Sequence, residues 1–84
     1  MKRELLLSRI VQCNSDSNIR FDDLRLLLQR LGFNERVRGS HHIFSREGVS
    51  EILNLQSNGS LAKPYQVRQV RNVIVRYKLG SRLA

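Results

Sequence analysis

The 84-residue sequence contains no tryptophan, one cysteine, one proline and one methionine. Cys13 cannot form an internal disulfide, and no Cys/His spacing suits structural zinc. No apolar run approaches the roughly 18 to 20 residues that span a bilayer, so we expect no membrane insertion. The basic start and the leucines after it lack a small-x-small cleavage site and do not predict a signal peptide. These absences favour a reduced, cytoplasmic protein.

Acidic residues are also scarce. The sequence has 7 Asp and Glu and 15 Lys and Arg, which gives a net charge of +8. No acidic residue follows Glu51. Twelve of the 15 basic residues are arginine, whose planar fork binds phosphate bidentately and stacks on bases. This charge predicts a nucleic-acid partner, although a merely solvated basic surface would have the same composition.

Glycine motifs for nucleotide binding are missing as well. The five glycines never form G-x-G-x-x-G or a P-loop, so no nucleotide cofactor is expected. The two adjacent histidines point to opposite faces if they lie in one strand, which argues against a shared metal. We therefore expect neither a metal nor a small-molecule cofactor.

Hydrophobic periodicity predicts three helices. The first covers residues 2–13 and is short enough to be peripheral, and a polar loop at residues 14–18 follows. The second covers residues 22–31: its leucines recur at i, i+3, i+4 and i+7, and Gly32 ends it. The third begins at Pro64, where the missing N–H costs nothing, and runs to about residue 78.

Between the last two helices the period changes towards two. Residues 33–38 and 41–46 predict a hairpin around Gly39-Ser40, and residues 51–56 predict a third strand that Asn58-Gly59 closes. In that third strand, Ile52 or Leu53 points inward with Leu55. The fold class is therefore α+β: one three-stranded antiparallel sheet, helices on one face, and an extra N-terminal helix. The whole chain, residues 1–84, forms one domain, with residues 1–18 as the N-terminal helix and loop and residues 19–79 as the core.

The segment Arg36-Val37-Arg38-Gly39-Ser40-His41-His42-Ile43-Phe44 concentrates chemistry at one bend. Imidazole exchanges protons near neutral pH, and RNA carries its own nucleophile in the 2′-OH. A histidine beside arginines could therefore cleave RNA without a metal, although a strand histidine is more often structural. A serine hydrolase is disfavoured because Ser40 lacks a strand-turn-helix elbow and an evident orienting acid.

These residues also resemble a known family. Asp22-Asp23-Leu24, Leu31-Gly32-Phe33, Arg38-Gly39-Ser40-His41-His42-Ile43-Phe44 and Ala62-Lys63-Pro64-Tyr65-Gln66-Val67 together look like the HicA toxins of type II toxin-antitoxin systems. The resemblance covers about residues 19–79. It implies a fold similar to double-stranded-RNA-binding domains, α-β-β-β-α, and a ribosome-independent mRNA endoribonuclease neutralised by a HicB-type antitoxin protein.

On that resemblance the catalytic histidine is His41, with His42 and Ser40 as possible support. Many HicA-like chains carry a Pro-x-His segment in the third strand, whereas this chain has Leu53-Asn54-Leu55-Gln56-Ser57. If a second imidazole is needed, only His42 could supply it. The candidate RNA-binding residues are the following basic side chains: Arg36, Arg38, Arg46, Lys63, Arg68 and Arg71.

Two other hypotheses remain open from the sequence. The chain could be a non-catalytic RNA-binding module that reads duplex shape through phosphates and 2′-OH groups. It could also act mainly through protein contact, with an acidic antitoxin over its basic face. The second of these is compatible with the nuclease.

Overall fold

A computed structural model describes residues 3–11 and 16–80. It contains α1 (Arg3–Val11), α2 (Phe21–Arg30), β1 (Asn34–Arg38), β2 (His41–Arg46), β3 (Val49–Leu55), β4 (Ser57–Asn58), β5 (Leu61–Ala62) and α3 (Pro64–Arg76). The predicted helix-helix-strand-strand-strand-helix order is confirmed, with one addition between β3 and α3. Cys13 lies outside the described residues.

The two long helices form for the reasons that the sequence suggests. Asp22 and Asp23 lie in the first turn of α2, near the positive end of the helix dipole. Gly32 ends α2 with a φ of 92°, a left-handed conformation that glycine adopts without strain. Pro64 opens α3, and Lys78, with a φ of 55°, lies just beyond its end.

The main sheet has the order β1-β2-β3 with both pairings antiparallel. Arg38 lies opposite His41, and His42 lies opposite both Val37 and Leu55. The register of β2 and β3 shifts between Phe44 and Arg46, so that β3 is locally bulged. Because opposite residues share a face, this register determines which side chains meet on each side of the sheet.

A second, two-stranded sheet was not predicted. We expected Asn58-Gly59 to close the third strand, but β4 and β5 pair antiparallel around it, with Asn58 opposite Leu61. Gly59 takes a φ of 62°, which suits a two-residue hairpin turn. Arg20 also forms an isolated bridge with Leu61, which joins this hairpin to the start of α2. The missed strands are two residues long, too short to show a period in sequence.

The first helix is part of the core and is not peripheral. Leu6 and Ile10 are buried, and α1 packs against both α2 and α3. A fully buried isoleucine contributes heavily to a domain of this size, where truncation to alanine costs about 2–5 kcal/mol. Helix α1 therefore belongs to the same folding unit as the sheet.

One face of the main sheet packs on the helices. Phe44, Leu53 and Leu55 point there and are almost fully buried. Ile52 points the other way and is 66% exposed, which settles the alternative in favour of Leu53. We call the other side the open face and define it by exposed side chains of all three strands: Arg36, Arg38, His41, Ile52 and Asn54.

Within residues 3–11 and 16–80, no helix is both long enough and apolar enough to cross a bilayer.

Candidate functional site

The two adjacent histidines lie on opposite faces of β2. His42 shares its row with buried Leu55 and points towards the helices, whereas His41 is exposed on the open face. This is the alternation that a strand imposes on consecutive residues. The structure thus shows which of the two histidines faces the helices, which the sequence alone leaves undetermined.

His41 belongs to a small polar cluster contributed by β2, β3 and the turn before β2. Its Nδ1 atom lies 3.0 Å from Oδ1 of Asn54. Because a carboxamide oxygen only accepts hydrogen bonds, this contact assigns the proton of the neutral ring to Nδ1. The Nε2 atom then carries the lone pair, with Nε2 of Gln56 at 3.4 Å as a long donor. The ring is thus held in the tautomer whose Nε2 can accept a proton.

Ser40 enters this cluster through glutamine. Its Oγ accepts a 2.9 Å hydrogen bond from Nε2 of Gln56. The tight turn before it requires Gly39, which has a φ of 59°. The turn therefore places the Ser40 hydroxyl beside the imidazole, with the glutamine amide between them.

Gln66 on α3 supports the strand that carries Asn54 and Gln56. Its Oε1 accepts from the backbone N–H of Gln56 at 3.1 Å, and its Nε2 donates to the carbonyl of Asn54 at 3.4 Å. The Gln66 side chain is buried, and its amide replaces a neighbouring strand at the sheet edge. The last helix is in this way connected to the residues around His41.

Two of the candidate RNA-binding arginines accompany His41 on the open face. Arg38 lies directly opposite His41, and Arg36 lies opposite Ile43, one row further along the same face. Both are exposed. They place two positive charges beside the imidazole.

Arg46 is not brought to this site. It lies at the far end of β2 from His41, and its side chain packs against Gly32, where an added Cβ would come within 3.3 Å of Nε. The structure therefore does not bring Arg46 together with His41, because the length of β2 separates them.

The three candidate RNA-binding residues at and before α3 have different surroundings. Arg71 donates to Oδ1 of Asp16 at 2.6 Å, and its side chain is only 12% exposed. That hydrogen bond is the main reason why the pKa of Asp16 lies below its usual value. Arg68 lies 3.5 Å from the same carboxylate but is largely exposed, and Lys63 is half-buried immediately before α3. Arg71 therefore forms an ion pair within the fold, whereas Arg68 is exposed to solvent.

His42 occupies a separate network on the helix side of the sheet. Its Nδ1 lies 2.7 Å from Oε2 of Glu35, and its ring meets Phe21 edge-on with centroids 4.9 Å apart. Glu35 also accepts from Arg25 at 2.7 Å and from Gln29 at 2.8 Å. Hydrogen bonding from Arg25, above all, lowers the pKa of Glu35 to about 2. The structure does not bring His42 together with His41, because the sheet lies between the two rings.

Sequence reasoning missed Asn54, Gln56, Gln66 and Glu35 as partners of the two histidines. Asn54 in β3 and Gln56 just past its end alternate with the buried Leu53 and Leu55, so strand parity would have put them on one face. On α2, both Arg25 and Gln29 donate to the carboxylate of Glu35. No sequence signal marks that contact, since it depends on how α2 lies over β1.

In the part of the chain that the structure describes, no three His, Cys, Asp or Glu side chains converge as a metal site would require. Comparison with protein-family models, with characterised proteins and with solved structures finds no match. The resemblance to HicA toxins therefore stays a prediction from the motifs.

Proposed function

We propose that this protein is a metal-independent endoribonuclease of the HicA type, the toxin of a toxin-antitoxin pair, acting on mRNA. The observation that carries the proposal is the geometry of His41. Its ring is on the open face, its Nδ1 is engaged by Asn54, and its Nε2 is directed away from that contact. Arg36 and Arg38 flank it on the same face.

The reaction would use the 2′-OH of RNA as the nucleophile. Nε2 of His41 takes the 2′-OH proton while the oxygen forms a bond to phosphorus. Arg36 and Arg38 stabilise the negative charge that accumulates on the phosphorane. The P–O5′ bond then breaks, and the imidazolium returns the proton to the 5′-oxygen. The products are a 2′,3′-cyclic phosphate and a 5′-hydroxyl, and no metal or water enters the balance.

Gln56 and Ser40 supply polar hydrogens next to the reacting centre. The Gln56 amide lies between the Ser40 hydroxyl and the His41 ring. It could donate to a phosphate oxygen once RNA displaces its weak contact with the imidazole. In this proposal Asn54 and Gln56 take the place that a second histidine has in many HicA-like chains.

The order of elements supports a fold similar to double-stranded-RNA-binding domains. Helix α2, the antiparallel sheet β1-β2-β3 and helix α3 follow one another as α-β-β-β-α, with the β4-β5 hairpin inserted before the last helix. The open face with its arginines is the surface that RNA would meet. An acidic HicB-type antitoxin would compete for that same surface, because opposite charge favours its approach.

The decisive experiment measures cleavage of a long, unstructured RNA by the purified protein in the presence of EDTA. Cleavage is expected to continue in EDTA, to leave cyclic phosphate ends and to stop in His41→Ala. An RNA with 2′-O-methyl groups should bind and remain intact. Cleavage that persists in His41→Ala with unchanged products would refute the assignment of His41.

The competing function is a duplex-binding module without catalysis. The experiment separates the two directly. Tight, salt-sensitive binding of duplex RNA with no cleavage under any condition would favour the module and overturn the nuclease.

A further inference from the structure

Tyr65 is the one exposed Phe or Tyr side chain in the described residues. It is 50% exposed, whereas the three phenylalanines are buried and Tyr77 is half-buried against Glu51. An exposed tyrosine on a small protein loses the apolar burial that usually stabilises its ring. Among the described residues, no Phe or Tyr lies on the open face, whose exposed side chains are basic, polar or aliphatic.

The position of Tyr65 connects it to the His41 cluster. Its hydroxyl accepts a 3.3 Å hydrogen bond from Nε2 of Gln66. The same nitrogen donates to the carbonyl of Asn54, and the Asn54 side chain accepts from His41. The tyrosine ring is thus two hydrogen bonds away from the backbone of β3, at the end of the sheet where the imidazole lies.

The chain around Tyr65 restricts where the ring can go. Pro64 fixes the backbone immediately before it, and Tyr65 lies in the first turn of α3. Tethering the hydroxyl to Gln66 leaves the face of the ring, rather than its polar edge, available to a ligand. With exposed Arg68 three residues further along the same helix, this exposed ring combines the aromatic surface and the positive charge that single-stranded nucleic-acid sites use.

We propose that Tyr65 is a stacking platform for a nucleobase adjacent to the phosphate at His41, and that it makes the protein selective for single-stranded RNA. This inference rests on the proposed function, because it requires RNA on the open face. Bases in an A-form duplex are stacked on one another and cannot place a face on the tyrosine. An unpaired base can do so for any of the four nucleotides, since every base has a π-face.

The test uses an uncleavable RNA, a short unpaired oligonucleotide with 2′-O-methyl groups, and the same sequence annealed to its complement. Tyr65→Leu should weaken binding of the single strand by about 5- to 150-fold, the range for loss of one stacked base. Tyr65→Phe should keep the affinity within a few-fold. Val75→Ala serves as the control, because Val75 is similarly exposed on the same helix.

A direct readout comes from Tyr65→Trp. The chain has no tryptophan, so this variant carries a single indole at the proposed platform. Its fluorescence should be quenched when the single strand binds and change little with the duplex. This measurement keeps the proposal testable even if Tyr65→Leu fails to fold.

The outcomes separate this inference from the nuclease proposal. Stacking and selectivity for the single strand without any RNA cleavage would refute the nuclease proposal and support the role of Tyr65 as a stacking platform. Cleavage with unchanged single-strand affinity in Tyr65→Leu and no quenching in Tyr65→Trp would overturn the platform alone. Equal losses for single strand and duplex would also overturn it, because a stacking site must distinguish the two.

Discussion

The carboxylate of Glu35 lies 2.7 Å from Nδ1 of His42, on the side of the sheet opposite to His41. Two consecutive histidines therefore have different surroundings. The His42 ring contacts a carboxylate and Phe21, whereas the His41 ring is exposed and contacts the side-chain amides of Asn54 and Gln56. Their substitutions should have different consequences.

We expect His42→Ala to lower the free energy of unfolding by about 1–3 kcal/mol, because a hydrogen bond to a charged group and an edge-on aromatic contact are lost. His41→Ala should change stability by less than about 0.5 kcal/mol, as is usual at exposed positions. Urea unfolding of both variants measures the difference. Equal destabilisation would contradict the assignment of the two faces.

Asn54 should affect the rate rather than the fold. Asn54→Ala removes the acceptor for Nδ1 of His41 and is expected to lower kcat about 2- to 10-fold, the worth of one neutral hydrogen bond, with little change in KM. Asn54→Asp keeps an acceptor at that position and should preserve most of the activity. Single-turnover cleavage of RNA by the two variants tests this pair. A rise in KM alone would show that Asn54 binds RNA instead of orienting the imidazole.

The salt dependence of RNA binding should report on the open face. Removing one phosphate contact from a single-stranded complex reduces the slope of log K against log salt by about 0.7. We expect this reduction in Arg36→Gln and in Arg38→Gln, with no change in melting temperature. Arg30→Gln is the matched control, because Arg30 is exposed at the end of α2, outside the site. The same loss in Arg30→Gln would mean that only net charge matters.

Glu35 should make the fold sensitive to acid. Its pKa is lowered from 4.5 to about 2 in the folded protein, so the unfolded chain binds a proton first as the pH falls. The stabilisation is complete above about pH 4.5 and is lost between there and about pH 2, by an amount on the order of 3 kcal/mol. Denaturant unfolding across this range should show the loss in the parent protein and a flatter curve in Glu35→Gln. If the unfolding free energy of Glu35→Gln falls with pH as steeply as that of the parent protein, Glu35 is not the cause of the acid sensitivity.

Arg71 should be structural rather than RNA-binding. Arg71→Gln leaves the partly buried carboxylate of Asp16 without its closest partner, and we expect a loss of about 1–3 kcal/mol in unfolding free energy. RNA affinity per folded molecule should stay unchanged, whereas Arg68→Gln should weaken it modestly. Thermal melting and binding measured on the same samples distinguish these effects. A large loss of RNA affinity in Arg71→Gln without destabilisation would show that Arg71 binds RNA.

The sequence predicts most of the secondary structure because the signals are local. The leucine spacing in α2, Pro64 at the start of α3 and the period of two around Gly39 each depend on neighbours within one turn or one hairpin. The β4-β5 hairpin is missed because its strands are too short for any period. The packing of α1 is also missed, since burial of Leu6 and Ile10 depends on what α2 and α3 present to them.

The candidate site is predicted less completely. The sequence groups His41, Arg36 and Arg38 around a single turn, and the register of β1 with β2 then places them on one face. Asn54 and Gln56 join them only through the register of β2 with β3, which the bulge near Ser45 makes unreadable from sequence. For Arg71 and Arg46, the sequence suggests a role that their surroundings in the fold do not favour. Their charge suggests RNA, but the partners that engage them lie far away in the chain.

At the edge of β3 that does not pair with β2, side chains of α3 and of the residue after it bind backbone N–H groups near both ends. The Tyr77 hydroxyl accepts from the N–H of Ser50 near the start of the strand, and Gln66 takes the N–H of Gln56 just past its end. A foreign polypeptide that tried to lengthen the sheet there would have to displace both. Self-association through strand addition at this edge is thereby disfavoured.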